Sequence, residues 1–299
     1  MGKDLAEAFP AAREAFAAID DALGFHVSEV MWKGPEDLLT RTDHAQPAIL
    51  AHSAAVWAVV GPKLGPSVAA AAGHSLGEYS AYVAAGALSA ADGAMLVRRR
   101  GELMHEAGTA RPGTMAAVLG LDTAKVIEVC REASGGGGAG GTVVAANLND
   151  PSQTVISGDP EAVARAGELL KAAGAKRVIP LKVSGAFHSP LMAPARAGLQ
   201  AALDVAPMQD PAFPVVANAT AEPVRDATGA KVQLSAQLVS PVRWIECARK
   251  LAELAGDGGR FVEIGPGSVL AGLAKRIVPG TQTLALGTAN EVRSFLEAA

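Results

Sequence analysis

Three short stretches of the chain carry residue types that could move an acyl group together. Gly73-His74-Ser75-Leu76-Gly77 has the G-x-S-x-G form, in which a serine on a sharp strand-to-helix turn presents its hydroxyl as a nucleophile. Small residues on both sides let neighbouring backbones approach closely. The turn also sets the Leu76 N–H at a helix N-terminus, where it can donate to a developing oxyanion. In a glycine-rich chain the same five residues also fit a plain tight turn, and a buried strand before with a helix after is the context that selects catalysis. A serine hydroxyl needs a base, and the histidines are His26, His44, His52, His74, His105 and His188. His74 adjoins the serine and is expected to point away across the turn. His26, His44, His52 and His105 sit on or beside predicted helices, where a surface or packed histidine is usual. His188 differs, because it follows a predicted strand in the loop Ser184-Gly185-Ala186-Phe187-His188-Ser189-Pro190, where layered α/β proteins gather site residues.

The frame that holds these residues is legible from spacing. Phe9, Phe16, Ile19 and Leu23 recur at helical intervals, as do Ile49, Val56, Val59 and Val60, so the chain begins with helices. Residues 67–72 read as a short buried parallel strand before the serine, despite the poor β propensity of alanine. Ser89 is placed to cap a helix running through Met95, Leu96, Leu103 and Met104, with Arg98, Arg99 and Arg100 on its polar face. From Met115 the pattern becomes strand (115–119), helix (124–133), a glycine-rich break (135–141) and strand (142–146). A second such unit follows as strand (154–157), helix (160–173) and strand (177–183), and the tandem predicts a ferredoxin-like insert. The glycine stretch follows a helix and does not open one, so it reads as a linker and not a phosphate cradle. Strands near 214–218, 260–264 and 283–286 then return to αβ order.

At 299 residues, 49 % hydrophobic but only 4 % aromatic, the chain builds its core from Ala, Val, Leu and Ile on closely packed elements, which favours layers of helix and sheet. The predicted fold class is α/β: residues 1–112 and 184–299 form a hydrolase-like large subdomain with a parallel sheet and flanking helices, and residues 113–183 form the ferredoxin-like α+β small subdomain. The formal net charge of −4 argues against nucleic-acid binding, which normally shows a basic face. Cys130 and Cys247 lie in no metal or redox spacing and fit buried thiols in a reducing compartment. There is no apolar signal core and no run near the ~18 apolar residues of a membrane span. A soluble cytoplasmic protein is expected, with no metal and no cofactor, and a monomer by default.

With Gly73-His74-Ser75-Leu76-Gly77-Glu78-Tyr79, Arg100-Gly101-Glu102-Leu103-Met104 and Gly185-Ala186-Phe187-His188-Ser189-Pro190-Leu191-Met192, the chain closely resembles the malonyl-CoA:acyl carrier protein transacylases of fatty-acid and polyketide synthesis. Gln46-Pro47-Ala48, the segment 147–158 with Asn149 and Gln153, Ser240-Pro241-Val242-Arg243-Trp244 and Glu263-Ile264-Gly265-Pro266-Gly267 extend the resemblance over nearly the whole chain. It implies Ser75 as nucleophile and His188 as base, the imidazole being oriented by a backbone carbonyl near Arg243 in place of a carboxylate. It implies that Arg100 grips the free carboxylate of a malonyl group, since the arginine fork matches a carboxylate, while Arg98 and Arg99 remain solvated. Phe187 resembles the bulky residue of malonyl-selective relatives that crowds an α-methyl substituent. Leu76, Asn149 and Gln153 complete the implied substrate contacts. Malonyl-CoA and acyl carrier protein are the implied partners, and Lys176 and Arg177 are the implied docking charges for the acidic carrier.

Members of that family begin with a β-strand and a Gly-Gln-Gly-Ser-Gln loop whose glutamine N–H is a second oxyanion donor. This chain opens at Met1-Gly2-Lys3-Asp4-Leu5, which looks like the segment after that loop. The resemblance therefore leads to the expectation of a missing central strand, half an oxyanion hole and a true start upstream. Two other readings share the elbow. A serine esterase or thioesterase would add a carboxylate orienter and have no need of Arg100, and a truncated, inactive homologue would bind carrier protein without turnover.

Overall fold

The computed structural model describes residues 1–135, 141–183 and 185–298. The predicted glycine break therefore falls mostly outside the described residues, as does Ser184. Five helices come first: α1 (Lys3–Ala8), α2 (Pro10–Leu23), α3 (Val27–Lys33), α4 (Glu36–Thr40) and α5 (Thr42–Leu64). α2 buries Phe16 and Ile19 and ends at Gly24, whose left-handed backbone closes the helix. After a 3₁₀ turn at Gly65–Ser67 come α6 (Gly77–Ala84) and α7 (Ala90–Ala110). Ser89 caps α7 as expected, its hydroxyl accepting from the Asp92 N–H. α5 is long and apolar enough to match a membrane span in length and composition, yet it is the central helix of the core, packed against α2 and α7.

The insert follows the predicted order: β1 (Thr114–Leu119), α8 (Thr123–Ala133), β2 (Val143–Asp150), β3 (Gln153–Gly158), α9 (Pro160–Ala172) and β4 (Arg177–Pro180). Its four strands form an antiparallel sheet in the order β2-β3-β1-β4. The pleat divides its residues between two layers. Ala116, Val118 and Ile156 pack under Val126 and Val129 of α8 and Leu170 of α9. Met115, Ala146 and Val155 face the other way and meet Leu181 and Phe187. One face thus makes the insert's own core, and the other carries the loop that holds His188.

The remainder comprises α10 (Ala193–Val205), β5 (Val215–Val216), β6 (Pro223–Val224), α11 (Ala227–Gln237), α12 (Trp244–Ala255), β7 (Arg260–Ile264), α13 (Val269–Ile277), β8 (Gln282–Leu286) and α14 (Ala289–Glu297). The parallel sheet of the large half is split. Among the described residues β7 pairs in parallel with β8 alone, and the strand expected over 67–72 is reduced to a single bridge at Ala71, whose N–H donates to Pro214 O and whose carbonyl accepts from the Val216 N–H. Between the two halves lies a cavity of about 1150 Å³, lined by residues 69–73 on one side and 261–265 on the other. Alanine side chains add little packing of their own to hold a lone edge, so strand geometry persists only where β5 supplies a partner. Phe261, Val262 and Ile264 are only half-buried as a result, although parallel strands are normally covered on both faces.

Candidate active site

Ser75 adopts φ 51°, a left-handed conformation that costs a non-glycine residue energy and marks functional turns. A Cβ on Gly73 would lie 1.9 Å from the Gly77 carbonyl carbon and oxygen, whereas one on Gly77 would meet no atom within 4 Å. The need for a small neighbour therefore falls on Gly73 alone, a correction to the expectation that both flanks require it. Asn218 straddles the turn. Its Oδ1 accepts from the Ser75 N–H at 2.7 Å and its Nδ2 donates to Gly73 O at 2.8 Å. Leu76 is the N-cap of α6, and its N–H makes no hydrogen bond among the described residues, which leaves it available to an oxyanion.

Ser75 Oγ donates to His188 Nε2 at 2.7 Å, and His188 Nδ1 donates to the Gln237 carbonyl at 3.0 Å. His188 is also left-handed, at φ 55°, so Ser75 and His188 both sit on strained backbone held by the surrounding fold. The carbonyl that His188 Nδ1 bonds is that of Gln237, and the Ser240 backbone, three residues before Arg243, adds a weaker contribution. Arg243 is engaged elsewhere, donating to Glu246 and to Thr220 O. Gln237 is the last residue of α11, where carbonyls have no partner within the helix and are free to accept. Burial, followed by the nearby Arg100 charge, pushes His188 down to about 3. It is a neutral imidazole at neutral pH and can take a proton. His74 turns away from the serine, its Nε2 lying 2.8 Å from Asn149 Oδ1.

Arg100 does not share a polar face with Arg98 and Arg99. It is 1 % exposed, while Arg98 pairs with Asp43 and Glu102 and Arg99 with Glu102. The cause is the crossing of α7 over α5 at Gly101, where a Cβ would sit 2.7 Å from Asp43 Cα, so the turn carrying Arg100 is pressed into the core. Its Nη1 donates to Gln46 Oε1 at 2.7 Å, and its Nη2 to Gln237 Oε1 and to Ser75 Oγ at 3.0 Å each. The guanidinium also lies over the Tyr79 ring. Among the described residues no carboxylate pairs with it. A buried cation beside the Ser75 hydroxyl and without a carboxylate partner among the described residues suits an acyl group that brings its own carboxylate.

The other implied residues divide. Phe187 is half-buried and lines the cavity beside His188. Asn149 reaches the site through His74 and does not touch Ser75. Gln153 lies on β3 opposite Leu119, away from the cavity lining. Lys176 and Arg177 are exposed where β4 begins, at an edge of the insert sheet. Sequence reading missed Gln237 and Asn218, which belong to no motif, and gave Glu78 no role although it follows the elbow directly. Among the described residues no cluster of His, Cys, Asp and Glu could hold a metal ion.

The acyl transferase domain family model matches residues 1–288. The chain belongs to the acyl transferase family. Within it, the chain is 44 % identical over 286 residues to a malonyl CoA-acyl carrier protein transacylase of Bacillus subtilis, covering 96 % of this chain and 88 % of the relative. An Escherichia coli protein of the same name is 40 % identical over 297 residues, covering 99 % and 94 %. Among acyl transferases of known structure, an acyl carrier protein S-malonyltransferase from Vibrio cholerae superposes with a TM-score of 0.92 at 38 % identity, covering 99 % of this chain and 94 % of that one. A malonyl-transacylase in complex with a type II polyketide acyl-carrier protein superposes at 0.93 and 41 % identity, covering 100 % and 95 %. These neighbours share the α/β class with this chain.

Proposed function

We propose that this acyltransferase moves a malonyl group from malonyl-CoA to the phosphopantetheine thiol of acyl carrier protein. The observation that carries the reading is Arg100, a buried guanidinium with no carboxylate partner among the described residues, 3.0 Å from the hydroxyl that would carry the acyl group. Two charged hydrogen bonds to the malonyl carboxylate, each worth about 1.5–3 kcal/mol, select it over acetyl. Ser75 Oγ attacks the thioester carbonyl while its proton passes to His188 Nε2. The new oxyanion accepts from the Leu76 N–H, and collapse expels the CoA thiolate, which takes the proton from His188. The carrier thiol then gives its proton to His188 and attacks the malonyl-serine ester, and the Ser75 alkoxide it expels takes that proton back from His188, completing a ping-pong cycle. No cofactor takes part in these steps. Phe187 beside the base narrows the space at the α-carbon, and Lys176 and Arg177 meet the acidic carrier.

The relatives' names and the carrier-bound neighbour support the same substrates. Residues 113–183 are the small subdomain in this reading, with boundaries in the chain on either side of the insert sheet, and the cytoplasm is the compartment. Mass spectrometry after malonyl-CoA addition tests it. One malonyl adduct on Ser75, absent in Ser75→Ala and discharged by holo-carrier protein, is expected. Faster hydrolysis of simple esters than malonyl transfer, with Arg100→Ala unchanged in that rate, would make the chain an esterase. Absence of any adduct would make it a binder.

A further inference from the structure

Glu78 takes no part in the mechanism above, yet its carboxyl is 0 % exposed three residues after the nucleophile. A buried carboxyl is costly unless its oxygens are held. Here one oxygen is. Glu78 Oε2 accepts from the Asn218 backbone N–H at 2.9 Å and from Gln237 Nε2 at 2.8 Å, while Oε1 has no partner among the described residues. Both donors belong to residues that hold the reacting groups. Asn218 clamps the serine turn through Ser75 N–H and Gly73 O. Gln237 presents its backbone carbonyl to His188, its Nε2 also to Ser75 O at 2.9 Å, and its Oε1 to Arg100.

The Gln237 amide therefore has a direction that matters. As it stands, NH₂ meets two acceptors and C=O meets the guanidinium. Turned over, NH₂ would face the Arg100 donors and Oε1 would face the Glu78 oxygen, so each contact would set like against like. Glu78 Oε2 is the acceptor that fixes this choice. Arg100 lies beyond the amide, and Tyr79, Tyr82 and Cys247 are the other titratable neighbours.

We propose that Glu78 is a positioning residue for acyl-group selection: by accepting from Gln237 Nε2 and the Asn218 N–H, it orients the Gln237 amide and so aims Arg100 at the acyl carboxylate. The proposal rests on the malonyl reading above. Burial pushes Glu78 up to about 7, and a proton arriving there goes to the unpartnered Oε1, leaving Oε2 an acceptor in either state. Placement of the oxygen, not its charge, is what the relay needs.

Two variants separate placement from charge. Glu78→Gln keeps an oxygen where Oε2 stands and removes the charge, whereas Glu78→Asp keeps the charge and draws the oxygen back by one methylene. Kinetics with malonyl-CoA and acetyl-CoA as donors, with thermal unfolding to establish folding, read the outcome. Glu78→Gln should keep the malonyl over acetyl preference within about threefold. Glu78→Asp should lose it by about 30-fold, mainly as a raised KM for malonyl-CoA, with acetyl transfer changed less than about threefold. Equal losses with both donors in Glu78→Asp, or an unchanged preference there, overturn the proposal. If Glu78→Asp does not fold, Glu78→Gln decides alone: a retained preference supports the proposal and a lost one overturns it. A wild-type chain without malonyl preference defeats the functional reading and this one with it, while a preference retained in Glu78→Asp defeats only this one.

Discussion

Ser75, His188 and Arg100 are separated by 25 and 113 residues along the chain from the serine, yet they converge within 3.0 Å of one hydroxyl. Ser75 and His188 stood out in the sequence by type and neighbours, and Arg100 through the family resemblance alone. What sequence could not show is how each is held, because Gln237 and Asn218 work through a helix-end carbonyl and an amide that match no motif. In the proposed reading Arg100→Ala removes two charged hydrogen bonds to the acyl carboxylate, so malonyl transfer should fall by about 10²–10⁴, equivalent to about 3–6 kcal/mol. Acetyl transfer should change little, and the ratio of the two rates measures the effect. The proposed role of His188 as proton acceptor gives a pH prediction. His188 is held at about 3 by burial and the Arg100 charge, below its unfolded value of about 6.5. The neutral, active imidazole persists as pH falls through the ordinary histidine range. Loading of Ser75 should therefore show no acid limb centred near about 6.5, and one found there by stopped-flow would show an exposed imidazole. The same depression carries a stability cost in acid. The unfolded chain gains a proton on this histidine below about 6.5 that the folded chain refuses until about 3, so this contribution to stability is lost as pH falls through that window.

At the scale of elements, the helices and the insert were legible because their periodicities are long and uninterrupted. α2, α7, α8 and α9 lie where apolar spacing and caps placed them. The inward turn of Arg100 was not legible, since Arg98, Arg99 and Arg100 look alike in sequence and only the crossing of α5 and α7 at Gly101 separates them. The elbow depends on one such close approach as well. Gly73→Ala would drive a methyl into the Gly77 carbonyl and should destabilise by more than about 2 kcal/mol, because backbone on backbone cannot relax cheaply. Gly77→Ala meets open space and should stay within about 0.5 kcal/mol of wild type. Denaturant midpoints of the two variants test the pair, and equal losses would show that both glycines are sterically required.

For the whole molecule, the feature that local sequence could not settle is the divided sheet. Residues 67–72 carry the apolar pattern of a buried strand, but a strand needs neighbours on its edges, and among the described residues only β5 reaches Ala71. The cavity of about 1150 Å³ between residues 69–73 and 261–265 leaves the inner edge of β7 without hydrogen-bond partners among the described residues. The insert sheet is different: β1 is paired on both edges, by β3 and β4. Backbone N–H groups lacking a partner exchange with solvent without any unfolding, whereas those of a two-sided strand wait for the sheet to open. Amides of β7 that face the cavity should exchange at least ~10²-fold faster than those of β1, and the half-buried Phe261 and Val262 should bind an apolar dye such as ANS in the native state. Hydrogen exchange followed by mass spectrometry resolves the two strands. Equal protection of β7 and β1, with no dye bound, would mean that the two halves of the sheet close on each other in solution. Ser75 would then stand at the end of a continuous sheet, its turn held by strands on both sides and not by Asn218 and β5 alone.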